Sequence, residues 1–381
     1  GHLSFLTSAR NMTSCSEAPT DTGLLTLQPG RNDMLKRTVL FLAATLCLGY
    51  ASTAPAKSYN TVSNLSQVQV QGQMALDIFK QIEEQTQGRV KLVWHDAGDM
   101  IPVNMHINSV SSGAVPCAFT AFAYFDGVLP IANIYSGYPF SPDVETWIQW
   151  LHEGEGLSIL QETLDPLNIV ALPIMATPRE AGGFFKREIR TPEDFKGLRF
   201  RIGGWGGEVA ARLGAAISQI PATELYLSMD RGRIDAMEFS SPALDESWGF
   251  DKLAEYYYFP GWHQPVGWEW LLINKKVWDK FDPADQQAIR HVCRTNLMDN
   301  YLKLLTMDVQ AVARMSENKN LHITRFPDEV LVALENSWKD VLAEGMQKHP
   351  EIKKAHDSFM NFVESRRQLE ALQELSFVEG K

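Results

Sequence analysis

From Ser58 onward the chain alternates between two hydrophobic periods. "SYNTVSN" (58–64) reads as a strand, and "RVKLVWH" (89–95) repeats every two residues, as strands do. Between them Met74, Ala75, Ile78, Phe79 and Ile82 recur at helical spacing, which predicts a helix over about 67–87 that Gly88 ends. A short helix near 101–112 and a buried strand, "AVPCAFTA" (114–121), follow. Residues 143–165 are amphipathic with Trp147, Trp150, Leu151, Ile159 and Leu160 inward, and "NIVALPIMA" (168–176) is an apolar strand.

The second half continues the alternation. In "TPEDFKG" (191–197) Thr191 suits an N-cap, Pro192 the first helical position, and Glu193 and Asp194 the positive end of a helix dipole. A helix is predicted over 222–231, and strands over 233–238, 255–261 and 268–274. A long helix over 283–317 is capped by Asp282, a strand follows at 321–326, and helices over 327–346 and 350–378 finish the chain. Strands alternating with helices predict an α/β fold with mostly parallel sheets. No repeat, low-complexity tract or flexible linker interrupts it, which suits two lobes around a central cleft, hinged at element ends. The predicted division places 57–175 and 268–325 in lobe I, 176–267 in lobe II, and 326–381 in C-terminal helices. Those helices either pack across the lobes or form a dimer interface.

Composition narrows the class. A chain of 381 residues, 45% hydrophobic, is long enough for two domains with real cores. A net charge of -11 argues against a nucleic-acid partner, which demands clustered Lys and Arg. From Met34, basic Lys36 and Arg37 precede an apolar run from Thr38 to Tyr50 and the small-x-small pattern "APA" (54–56). That run is too short to span a bilayer, so 34–56 reads as a secretory signal and the mature protein as periplasmic. Residues 1–33 read as an upstream extension or cloning remnant and are set aside. Beyond the signal only Cys117 and Cys293 remain, either as buried thiols or as one bridge.

The chemistry concentrates in "GLRFRIGGWGGEVAARLG" (197–214), where an apolar strand with two arginines runs into four glycines and a helix. It fails as a nucleotide loop. Aligning Gly204 and Gly206 with a dinucleotide fingerprint puts Val209 where a third small residue belongs, and Glu208 carries the wrong charge for phosphate. Arg201 instead lies at the carboxyl end of its strand, where open α/β sheets bind ligands, and a guanidinium there can take a carboxylate bidentately. The glycines let Trp205 approach a ligand.

"TPEDFKGLRFRIGG" resembles the signature of the extracytoplasmic solute-binding proteins of tripartite ATP-independent periplasmic (TRAP) transporters. The likeness continues through "TELYLSMDRGRIDAMEF" (223–239), "YYYFPGWHQP" (256–265) and "LLINKKVWD" (271–279). It implies a two-lobed binding protein with no catalytic cofactor, in which Arg201 clamps the carboxylate of a small organic acid that is passed to TRAP membrane subunits. "AGGFFKR" (181–187) and "YYYFPGW" (256–262) resemble the branch that binds 2-oxo or 2-hydroxy monocarboxylates such as pyruvate or lactate with Na⁺ or Ca²⁺. On matching positions the resemblance assigns the cation to Glu238, Glu180 and Phe239; Glu180 stands where the branch has Gln, and Phe239 where it has Trp. Glu180 and Phe239 also face the substrate. Tyr124 in "TAFAYFDG" and His263 in "PGWHQP" are further candidate substrate contacts, while the stretch after "SYNTVS" lacks the branch's aromatic-Pro-Gly pattern. In this branch a C-terminal helix such as 350–378 supports homodimers. The rival reading is an exported enzyme acting on a small carboxylate with Glu180 or Glu238 as base. No Ser-His-Asp signature accompanies it.

Overall fold

The computed structural model describes residues 57–373. The predicted signal and the stretch before it lie outside the described residues. The first lobe begins with strand β1 (Lys57–Ser63), helix α1 (Val70–Gln85), whose buried face carries Met74, Ala75, Ile78, Phe79 and Ile82, and β2 (Val90–His95). After α2 (His106–Ser112) come β3 (Cys117–Thr120) and α3 (Ala132–Ser136). The amphipathic stretch after them splits at Gly154 into α4 (Val144–Glu153) and α5 (Gly156–Leu164), and β4 (Ile169–Thr177) is buried along its whole length.

The chain then crosses to a second sheet. Its elements are β5 (Gly183–Phe185), β6 (Arg199–Arg201), α6 (Gly204–Arg212), β7 (Ala216–Ser218), α7 (Ala222–Asp230), β8 (Ala236–Met237), α8 (Pro242–Ser247) and β9 (Tyr256–Phe259). Thr191 takes the N-cap position as predicted, with Asp194 completing a capping box, but it opens one 3-10 turn and no longer helix. Gly197, with φ +70°, turns the chain into β6.

The chain returns to the first sheet as β10 (Gly267–Asn274), followed by α9 (Lys275–Trp278) and the long α10 (Pro283–Met315). β11 (His322–Arg325), α11 (Asp328–Lys348) and α12 (Pro350–Gln373) complete the fold. The sheets are ordered β2-β1-β3-β10-β4 and β11-β9-β5-β8-β6-β7. Both are mixed, which corrects the expectation of mostly parallel sheets. β10 enters from the far lobe and pairs antiparallel with β3 and β4, and β5 pairs antiparallel with β8 and β9. β11 pairs with β9 in the second sheet, so the predicted lobe I stretch 268–325 changes sheets before its end.

Three connections join the lobes: 178–182, 260–266 and α10. At 33 residues α10 is about 50 Å long. It packs on α1 and β4 at one end and on α8 at the other. The C-terminal pair also bridges, α11 on α6 and α12 on α4 and α5. Phe359 of α12 stacks on Trp147 at 4.1 Å, and Ser358 Oγ accepts from Trp150 Nε1 at 3.1 Å. Packing on its own chain therefore accounts for Ile352, Ala355, Phe359 and Val363 of the last helix. Cys117 and Cys293 are free, buried thiols.

The first two connections run side by side. Glu180 N donates to the Gln264 carbonyl and Gly182 N to the Tyr258 carbonyl. A Cβ at Gly261 would lie 2.0 Å from the Glu180 carbonyl oxygen, so only glycine permits this approach. Gly261→Ala is expected to destabilise the protein by about 1–3 kcal/mol through forced backbone displacement. The check is a lowered melting temperature; an unchanged one means the two segments are not held together.

Candidate functional site

Between the lobes lies a cleft of about 580 Å³ lined from both sides. Lobe I contributes Asn64 after β1, Tyr124, and Glu269 of β10. Lobe II contributes Arg201, Trp205, Glu238 and Phe239, and the connections contribute Glu180 and His263. Every candidate ligand or cation residue named from the sequence thus lines one cleft. A second, more open concavity beside β11, lined by Glu188, Tyr256 and His322, has no buried polar side chain.

Arg201 ends β6, and the Glu238 backbone N–H donates to its carbonyl oxygen. Its Nη1 donates to the Glu238 backbone carbonyl and to Glu238 Oε1 at 2.9 Å, and its Nε donates to the Ile220 carbonyl at 3.3 Å. The guanidinium carbon sits 6.0 Å from the Phe239 ring centroid. Arg199, on the same strand, is committed elsewhere: it grips Asp235 at the surface. Of the two arginines, Arg201 alone lines the cleft.

Glu180, Glu238 and His263 form a buried cluster whose ligand atoms lie within 4.8 Å of one another. His263 Nε2 is 3.1 Å from Glu180 Oε2 and 3.3 Å from Glu238 Oε2. Gln264 Nε2 donates to Glu180 Oε1 at 2.7 Å. Burial and the nearby Glu238 charge push the Glu180 carboxyl well up, despite the hydrogen bond from His263. Burial acts the same way on Glu238, but the Arg201 charge and the His263 hydrogen bond outweigh it and hold that carboxyl below its ordinary range. For His263, burial favours the neutral ring; the two carboxylates overcome it and raise the imidazole to about 9.

The glycines after Arg201 have a further use besides the turn expected of them. A Cβ at Gly206 would lie 2.8 Å from the His263 Cβ, so Gly206 lets α6 lie against the histidine. Trp205 borders the cleft, but its ring packs against Trp338 of α11 at 4.9 Å and edge-on to Tyr138. It supports the wall from behind. Tyr124 is half-buried on the lobe I side, in a 3-10 turn. Sequence reasoning passed over Gln264, Asn64 and Glu269. The last had a signal: a lone carboxylate within "GWEWLLIN", a strand otherwise fit for burial on both faces.

The donor chemistry fits a hard cation at Glu180 and Glu238, since carboxylate oxygens suit Na⁺ and Ca²⁺. The charge count fits too. When both carboxylates are ionised, Arg201 and a protonated His263 balance them, and an entering acid then adds a negative charge that a cation can offset.

The family described as "Bacterial extracellular solute-binding protein, family 7" matches residues 61–349. The monocarboxylate 2-oxoacid-binding periplasmic protein of Nostoc sp. is 30% identical over 304 residues, 79% of this chain and 82% of the relative. A TRAP transporter solute binding protein from Bordetella bronchiseptica superposes with TM-score 0.80 at 26% identity, covering 84% of this chain and 95% of that one. Its active site was found with copurified calcium and picolinate. A TRAP periplasmic solute binding protein from Pseudoalteromonas atlantica, with bound sodium and pyruvate, gives 0.79 at 28%, covering 84% of this chain and 100% of that one.

The His263 shift sets a pH dependence. Its folded-state pKa is raised from 6.5 to about 9, so the folded protein holds a proton that the unfolded chain releases. The stabilisation is complete below pH 6.5 and is lost as pH rises to about 9. The stability difference between the ligand-free protein and His263→Gln should shrink across that window. A difference constant from pH 6 to 10 in denaturant titrations would contradict the imidazolium.

Proposed function

The chain belongs to the bacterial extracellular solute-binding proteins of family 7, and on that premise we propose that it captures a small monocarboxylate, a 2-oxo or 2-hydroxy acid, in the periplasm. The observation that carries this reading is a guanidinium set beside two buried carboxylates at the junction of two lobes. Arg201 fixes the acid's carboxylate. Its Nη2 has no hydrogen-bond partner among the described residues, which leaves its two donors available to a ligand. Such a charge-assisted bond contributes about 1.5–3 kcal/mol. Taking the carboxylate through both Nη atoms requires Glu238 Oε1 to give up Nη1.

Glu180 and Glu238, with the backbone of Phe239, would hold the cation, Na⁺ or Ca²⁺, which supplies positive charge to the bound acid. The relatives from Bordetella bronchiseptica and Pseudoalteromonas atlantica, with calcium or sodium beside a small carboxylate, support this pairing. A ligand held by both walls favours the closed arrangement of the lobes by its differential affinity, a population shift that needs no chemistry. The closed form then meets the TRAP membrane subunits. The Arg201 charge lowers the proton affinity of Glu238 and so weakens it as a general base. Leu369 and Leu372, exposed on α12 beyond the part that packs on the chain, suit a homodimer contact.

Calorimetry of the purified protein with pyruvate in Na⁺ or Ca²⁺ buffer is expected to show binding. Arg201→Ala should lose at least 100-fold, and removing the cation or Glu238→Ala should weaken binding at least 10-fold. Affinity retained within threefold in Arg201→Ala would identify the wrong clamp. The acid should be recovered unchanged after hours, whereas its consumption would favour an enzyme.

A further inference from the structure

The lobe I wall carries polar atoms that the binding account leaves unused. Glu269 is buried, 6% exposed, on a strand whose remaining side chains are mostly apolar, yet it lines the cleft. Asn64 Nδ2 donates to its Oε1 at 3.3 Å. Glu269 Oε2 has no partner among the described residues, and neither has Asn64 Oδ1. The register between β10 and β4 shifts between Glu269 and Trp270. Irregularities of this kind re-aim a side chain beside a site. Two adjacent orphaned polar atoms are costly in a folded interior and require an explanation.

Arg201 lies on the lobe II wall of the same cleft, so a ligand that spans the cleft from Arg201 can meet Glu269 and Asn64 on the lobe I wall. We propose that Glu269 and Asn64 form a lobe I subsite for a hydroxyl on the ligand's carbon chain beyond C2, which makes 3-hydroxylated monocarboxylates the preferred acids; this rests on the carboxylate-binding reading above. A hydroxyl both donates and accepts. It donates to Asn64 Oδ1, a pure acceptor, and shares a proton with Glu269 Oε2. Burial pushes the Glu269 carboxyl up to about 8, so at neutral pH it is protonated, does not repel an anionic ligand, and has a hydrogen to offer. An acid without the hydroxyl leaves both atoms unpaired when the lobes close, and discrimination of that kind is large because it charges the full desolvation of buried groups.

The test is calorimetry on the purified protein with two matched pairs in one Na⁺ buffer: pyruvate against 3-hydroxypyruvate, and lactate against glycerate. In each pair the 3-hydroxylated acid is expected to bind at least 10-fold more tightly. Glu269→Gln, which keeps shape and hydrogen bonding, should keep most of that ratio. Glu269→Ala and Asn64→Ala should bring it within threefold, with folding checked by thermal melting; if one fails to fold, the other carries the test. A ratio near one in the unmodified protein, or a ratio that both folded alanine variants preserve, overturns the subsite while leaving the binding function standing. If no acid of either pair binds, the carboxylate-binding reading fails and the subsite with it, a distinct outcome.

Discussion

Two carboxylates, Glu180 and Glu238, are removed from water where the lobes meet, and the rest of the site follows from that. Burying an ion costs several kcal/mol unless a counter-charge and hydrogen bonds replace its hydration. Arg201 answers Glu238, Gln264 answers Glu180, and the His263 ring stands between the two carboxylates within reach of both. A cluster so closely balanced responds strongly to one more charge. That is a useful property in a protein that must notice the arrival of a small anion.

The cluster's position ties it to motion. Glu180 lies on the first connection between the sheets, His263 and Gln264 on the second, and Glu238 just after β8 in lobe II. The two connections are hydrogen-bonded to each other with no room for a side chain at Gly261. Residues at element ends are where hinge rotation between lobes is absorbed, and this cluster sits at such ends. The bridging helices α10, α11 and α12 limit how far the lobes can part.

Much of this was legible in the chain. The long helices, the buried strands of lobe I and the position of Arg201 at a strand's carboxyl end follow from periodicity and capping, which are local. The short strands β5 and β7 span three residues each, too few for a period, and β8 has only two. The mixed sheet order was not legible, since β10 joins β3 and β4 only after the chain has built the second lobe. Within the site, Glu180 and Glu238 could be picked out, but their sharing of one histidine could not: they lie 58 positions apart and meet through the fold. The partners of Glu269 were equally hidden, because Asn64 is 205 positions away.

By itself the sequence determined the class of protein, the family signature and the placing of Arg201 at the end of a strand, because those rest on neighbouring residues and on a strand–turn–helix unit that forms locally. Tertiary structure decided the charge states of Glu180, Glu238, His263 and Glu269, and what the glycines are for. A carboxyl's pKa depends on burial and on charges brought from distant segments. Gly206 makes room for a histidine on a connection that the sequence cannot place beside it. The local chain specifies which groups are available; only the packed lobes fix how far they stand from one another and from water, and that distance sets their chemistry.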